Sequence, residues 1–141
     1  MLIIFNGLPD LQYGIKTAIK ILLVMSEEFL RVARKEVGDD IAEIGILLQG
    51  CKTDADIAKN ASEIEKHIHK IKGLAPMMGQ EQIGEIATHL DRILKAMLSG
   101  TVIPKIQQTI TRSHQFMQDA MNGNAADYDS LVSYIQATHQ T

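Results

Sequence analysis

The sequence predicts an all-α protein, an antiparallel up-and-down helical bundle with a four-helix core plus one or more additional helices. Three observations predict it. Apolar residues recur three, four and seven positions apart along most of the chain, as one buried helix face requires. No alternating apolar–polar stretch of strand length occurs. The 141 residues include only three prolines, no tryptophan, and three each of tyrosine and phenylalanine, a composition that favours helix.

Each element follows from its spacing and its stop signals. Ile15, Ile19, Leu22, Phe29 and Ala33 mark a first helix, which Gly38-Asp39-Asp40 is expected to interrupt. Asp40 with Glu43 resembles a capping pair that restarts a short helix from Ile41 to Leu48, ended by Gly50. Thr53 with Asp56 caps the next, which carries Ile57, Ala61, Ile64, Ile68 and Ile71 until Pro76 and Gly79 close it. Glu81 to Leu98 follows, with Ile83, Ile86, Leu90, Leu94 and Met97 on one side. After Pro104, Ile106, Ile110, Phe116, Met117 and Met121 define another helix, and a last one runs from about Ala126 to Ala137. Short connections predict antiparallel neighbours. Residues 1–10 read as a flexible tail and 11–141 as a single bundle domain.

Composition excludes several classes of function. A formal net charge of −3 and a pI near 5.9 argue against a nucleic-acid binder. The longest apolar run, Ile21 to Met25, is too short to insert in a membrane, and the N-terminus lacks the pattern of a signal peptide. The lone cysteine, Cys51, forms no internal disulfide and points to a reducing, cytoplasmic location. No glycine-rich phosphate loop, dinucleotide fingerprint or kinase signature occurs. Such a chain is expected to bind no cofactor itself and to take its chemistry from partners.

The informative stretch is His69-Lys70-Ile71-Lys72-Gly73, with a second glycine, Gly79, ten residues after the histidine. At about 100° per residue, His69 lies roughly 120° from the centre of the apolar stripe and Lys72 roughly 60° away on the same edge. Gly73, one turn beyond His69, leaves a bare patch. An accessible imidazole beside a cation and a missing side chain suits a nucleophile approached by a bulky phosphoryl donor. On the following helix, Gly84, Thr88, Asp91 and Lys95 form an edge of the same sense, so His69 and Asp91 are expected to share one seam, while His67 and His89 fall on the opposite edges. A carboxylate accepting from Nδ1–H fixes the tautomer and leaves Nε2 free. His67 and His69, two apart on a helix, diverge, so no metal site is expected. Met77, Met78, Met97, Met117 and Met121 sit mostly at core spacing and read as filler.

The segment from Ser62 to Gly100 resembles a histidine-containing phosphotransfer (HPt) domain, and is most similar to the N-terminal phosphotransfer domain of chemotaxis histidine kinases. The resemblance implies that His69 is phosphorylated by a histidine kinase catalytic domain and passes the group to an aspartate of a response-regulator receiver domain. Under it, Lys72 positions the phosphoryl group, Gly73 gives the partner room, and ATP and Mg are bound by the partner domains. Asp91 stands where the family usually has a glutamate; one methylene shorter, it implies a weaker or water-mediated contact with His69. Thr88 replaces a histidine common in the chemotaxis kinases, and Pro76 a small residue. Lys66 and Lys70 add a positive rim for docking an acidic receiver pocket. Whether the chain is free-standing or one domain of a kinase stays open. The alternative reading is a helical interaction module that docks a signalling partner without phosphotransfer.

Overall fold

The computed structural model describes residues 9–140, with side chains from residue 14 onward. Most of the expected N-terminal tail therefore lies outside the described residues, while Pro9 and Asp10 already belong to the first helix. The protein is 83% helical, and no strand occurs among the described residues. Five helices follow in order: α1 (Pro9–Gln49), α2 (Asp54–Leu74), α3 (Glu81–Leu98), α4 (Ile106–Met121) and α5 (Tyr128–His139), with a 3₁₀ turn, Pro76–Met78, between α2 and α3. By its contacts the chain divides into two compact units, Met1–Ala33 and Arg34–Thr141.

The second unit holds the bundle core. Each helix contributes its apolar stripe: Val37, Ile41 and Ile44 from α1, Ile57, Ile64, Ile68 and Ile71 from α2, and Ile83, Ile86, Leu90 and Leu94 from α3. Ile110, Phe116 and Met117 of α4 and Leu131 and Ile135 of α5 complete it. Met78 and Met117 are buried as core filler, whereas Met77 is exposed.

The expected interruption at Gly38-Asp39-Asp40 does not occur, and α1 runs through it. A glycine inside a helix costs up to about 1 kcal/mol but does not by itself end one. Buried Val37, Ile41 and Ile44 carry the stripe across the site. Asp40 is not a cap. Its carboxylate is buried and meets His67 Nδ1 at 2.8 Å and Lys70 Nζ at 3.2 Å.

Local chemistry sets the start of α2. Thr53 accepts the Asp56 amide, and the Asp56 carboxylate accepts the Thr53 amide, a reciprocal capping box. Asp54 reaches further and accepts the amides of Lys105 (2.9 Å) and Gln107 (2.8 Å). It thereby satisfies donors at the start of α4, where Lys105 adopts a left-handed backbone and supplies no side-chain cap.

The corner between α2 and α3 positions the site. Gly79 turns the chain with φ of 84°, a conformation glycine adopts without a Cβ penalty. The Pro76 ring then packs on Gly84, where a Cβ would lie 2.5 Å from Pro76 Cγ. Only a bare backbone lets α3 approach the corner this closely. Side-chain contacts pair residues 76 with 84, 72 and 69 with 91, and 65 with 95, so α2 and α3 run antiparallel.

Candidate functional site

His69 lies on α2 with its side chain 57% exposed, and Asp91 lies opposite on α3 with its side chain only 3% exposed. Gln80 leads into α3 two residues after the 3₁₀ turn, and the tight Pro76–Gly84 contact fixes the register that brings the two together. His69 Nδ1 stands 3.6 Å from Asp91 Oδ1, longer than a hydrogen bond. This is the loose contact expected of an aspartate at that position.

Asp91 is the electrostatic centre. Its Oδ2 accepts from Lys72 Nζ at 2.9 Å and from Lys95 Nζ at 2.8 Å. Its Oδ1 is buried without a hydrogen-bond partner. Burial alone would push the carboxyl pKa up. The hydrogen bonds from Lys95 and Lys72, the neighbouring Glu65 carboxyl and the Lys72 charge outweigh it and hold Asp91 well below the usual carboxylate range. The sequence pattern that put His69 and Asp91 on one seam thus also brings in Lys72 and Lys95.

Glu65 was not singled out in the sequence, although it lies one helical turn before His69 on the same edge. Its carboxylate reaches to 3.8 Å from His69 Nδ1 and 3.9 Å from Lys95 Nζ. The neighbouring Asp91 carboxylate and burial together raise its pKa. Two carboxyls therefore share one face of the imidazole with opposite proton affinities: Asp91 ionised, Glu65 the more readily protonated. Glu65, His69 and Asp91 also bring their ligand atoms within 4.8 Å of one another, close enough to be tested as a metal site. Two ammonium groups already occupy Asp91 Oδ2 and disfavour a cation there.

The opposed shifts have a measurable consequence. The ionised Asp91 stabilises the fold fully above its ordinary value of 3.8, and that contribution is lost as pH falls towards the lower folded-state value. Glu65 has the reverse sign: its contribution is present below the ordinary 4.5 and is lost as pH rises through the raised value. Urea unfolding of Asp91→Asn is expected to show a flatter acid limb between about pH 4 and pH 2 than the wild type. Glu65→Gln is expected to leave that limb in place.

Gly73 sits one turn beyond His69, and no atom lies within 4 Å of where its Cβ would be. No packing among the described residues requires the glycine. Gly73→Ala is expected to raise stability by up to about 1 kcal/mol, read as a higher melting temperature. The same substitution is expected to slow reaction with a partner that must approach His69.

The remaining candidates take other roles. Lys66 pairs with Glu63 of its own helix at 3.1 Å, at the surface, and Lys70 turns to Asp40 rather than to the His69 side. His67 is the histidine on the opposite edge and belongs to Asp40. Cys51 is buried, and burial pushes its thiol pKa up, which makes it a poor nucleophile. No helix among the described residues is long and apolar enough to cross a membrane.

A family model for the Hpt domain matches residues 28–116, which include His69, Lys72, Gly73 and Asp91. No curated protein and no solved structure matches the chain. The family match covers more than half of the sequence and falls on the helices that build the His69–Asp91 seam, and the chain therefore belongs to the Hpt-domain family, phosphotransfer carriers of two-component signalling.

Proposed function

We propose that His69 is the phosphoryl acceptor of this carrier, loaded by a histidine kinase catalytic domain and discharged to the aspartate of a receiver domain. The observation that carries the reading is an exposed imidazole backed by a buried, ionised carboxylate and a lysine in the same seam. In the forward step the Nε2 lone pair attacks phosphorus, an N–P bond forms, and the bond to the donor's phosphate-bearing atom breaks. Asp91 accepts from Nδ1–H and stabilises the positive charge that develops on the ring; a small ring rotation closes the 3.6 Å gap. Lys72 is a flexible, 36% exposed cation within reach of Asp91, and it swings outward to meet the phosphoryl oxygens. Gly73 leaves the approach open, while Lys66, paired with Glu63, and Lys70, turned to Asp40, are not directed at it.

The reaction needs no nucleotide or metal on this chain; ATP belongs to the kinase and the divalent ion to the kinase and the receiver. A chemotaxis-type pathway in the cytoplasm suits the motif, with the chain acting either alone or as the phosphotransfer domain of a larger kinase. The test is direct. The purified chain, mixed with a receiver domain carrying a labelled aspartyl phosphate, is expected to take up label and to return it to fresh receiver. A chain that binds the receiver but never acquires label would leave only a docking role.

A further inference from the structure

Asp91 Oδ2 accepts from two ammonium groups at once, Lys72 Nζ of α2 at 2.9 Å and Lys95 Nζ of its own helix at 2.8 Å. Phosphotransfer gives Lys72 a task and leaves Lys95 without one.

The order of side-chain pairs along the seam separates the two lysines. Residue 65 faces 95, 69 faces 91 and 76 faces 84. Lys72 and Gly73 therefore lie on the corner side of His69, and Glu65 with Lys95 on the other. The open approach is on the corner side, where no atom lies within 4 Å of the absent Gly73 Cβ. Lys72 stands there, one turn after His69; Lys95 does not. The two are also held differently. Among the described residues, Lys72 has Asp91 as its one carboxylate partner, whereas Lys95 has Asp91 and, at 3.9 Å, Glu65. The hydrogen bond to Asp91, with the Asp91 and Glu65 charges, raises the Lys95 pKa against burial.

This difference matters when Lys72 moves. The Asp91 side chain is 3% exposed, and its Oδ1 has no hydrogen-bond partner. A carboxylate so buried takes up a proton once its cations leave, because burial favours the neutral form. Protonated Asp91 no longer stabilises charge on the His69 ring. With Lys72 as its only cation, the movement that serves the phosphoryl group would disarm Asp91. A second lysine, held by two carboxylates away from the approach, removes the conflict.

We propose that Lys95 is a positioning residue, a role that rests on His69 being the phosphoryl acceptor: it stays on Asp91 while Lys72 turns outward, so that the two tasks fall to different cations. The charged and titratable groups facing Asp91 are His69, Lys72 and Glu65 from α2 and Lys95 from α3. Lys95 itself does not meet the phosphoryl group.

Two measurements test this. A carboxyl ¹³C NMR titration of Asp91 in the unphosphorylated chain needs no partner protein. Lys72→Met reproduces the departure of Lys72, and Asp91 is expected to titrate still below its ordinary 3.8. In Lys72→Met/Lys95→Met the midpoint is expected above 3.8. Uptake of label from a phospho-receiver domain is the second readout. Lys95→Met is expected to be about tenfold slower than wild type at about pH 6 and within about threefold of it at about pH 8, since the loss is protonation of Asp91. Lys95→Arg is expected to restore the wild-type profile. In a Glu65→Gln background the same pH-dependent deficit is expected, which separates it from the titration of Glu65. In an Asp91→Asn background Lys95→Met is expected to slow uptake no further.

An Asp91 midpoint that stays below 3.8 in the double methionine variant overturns the proposal, as does a deficit of equal size at both pH values. A deficit that persists in full in Asp91→Asn also overturns it and makes Lys95 a ligand of the phosphoryl group. A wild-type chain that takes no label overturns the assignment of His69 and the role of Lys95 with it; a labelled wild type with any of the other three results overturns the role of Lys95 alone.

Discussion

His69→Gln is expected to abolish phosphoryl uptake, lowering the rate by at least about 10³-fold, while leaving the melting temperature close to that of the wild type. Glutamine fills similar space at an exposed position but offers no nucleophilic nitrogen. The informative control is His67→Gln, because the sequence holds two overlapping histidine–lysine pairs, His67 with Lys70 and His69 with Lys72. His67 makes the shorter carboxylate contact, 2.8 Å to Asp40 against 3.6 Å from His69 to Asp91. Contact length is not the deciding property. The His67 side chain is 22% exposed and is followed one turn later by buried Ile71, whereas His69 is 57% exposed and is followed by Gly73. A bulky phosphoryl donor therefore reaches His69. His67→Gln is expected to keep uptake within about threefold of wild type, since the glutamine amide still donates to Asp40. Uptake by His69→Gln that disappears on adding His67→Gln would move the acceptor to the other pair.

Gly84→Ala is expected to be strongly destabilising. Its Cβ would lie 2.5 Å from Pro76 Cγ and 2.9 Å from Pro76 Cδ, and a proline ring cannot rotate away. Overpacking of this kind costs about 1–3 kcal/mol, read as a fall in melting temperature of roughly 3–10 °C. Removing the obstruction should recover the loss. Pro76→Ala alone is expected to cost no more than about 1 kcal/mol, and the double variant to be more stable than Gly84→Ala, a coupling of about 1 kcal/mol or more in a double-mutant cycle. A second readout ties this corner to the site. The Pro76–Gly84 contact sets the register between α2 and α3, so the single alanine should also slow phosphoryl uptake by displacing Asp91 from His69. Additive effects of the two substitutions would show that the corner yields elsewhere.

Local signals in the sequence carried most of the bundle. The α2 stripe Ile57, Ala61, Ile64, Ile68 and Ile71 is buried as its spacing requires, and the Thr53–Asp56 box starts the helix where those two residues predict. Helical periodicity alone placed His69, Lys72 and Asp91 in one seam, because two antiparallel helices on a common core bring edges of the same sense together. Three features were hidden for a common reason: each depends on a residue distant in sequence. Gly38-Asp39-Asp40 carries local signals that stop helices, but Asp40 pairs with His67, 27 residues on, and the helix continues. Asp54 reads as a first-turn acid of α2, yet it supplies the cap for α4, 51 residues away. Glu65 is visibly one turn from His69, but its raised proton affinity arises from Asp91 across the seam. Spacing reports which face a side chain occupies; it does not report what the neighbouring helix brings to that face.

The central claim is that the phosphoryl group resides on His69. Tandem mass spectrometry of the full chain, taken under neutral conditions after exposure to a labelled phospho-receiver domain, tests it most directly. The expected result is a single acid-labile phosphate on the His69 ring. Phosphate on His67, on a hydroxyl or carboxylate side chain, or nowhere in the chain would contradict it.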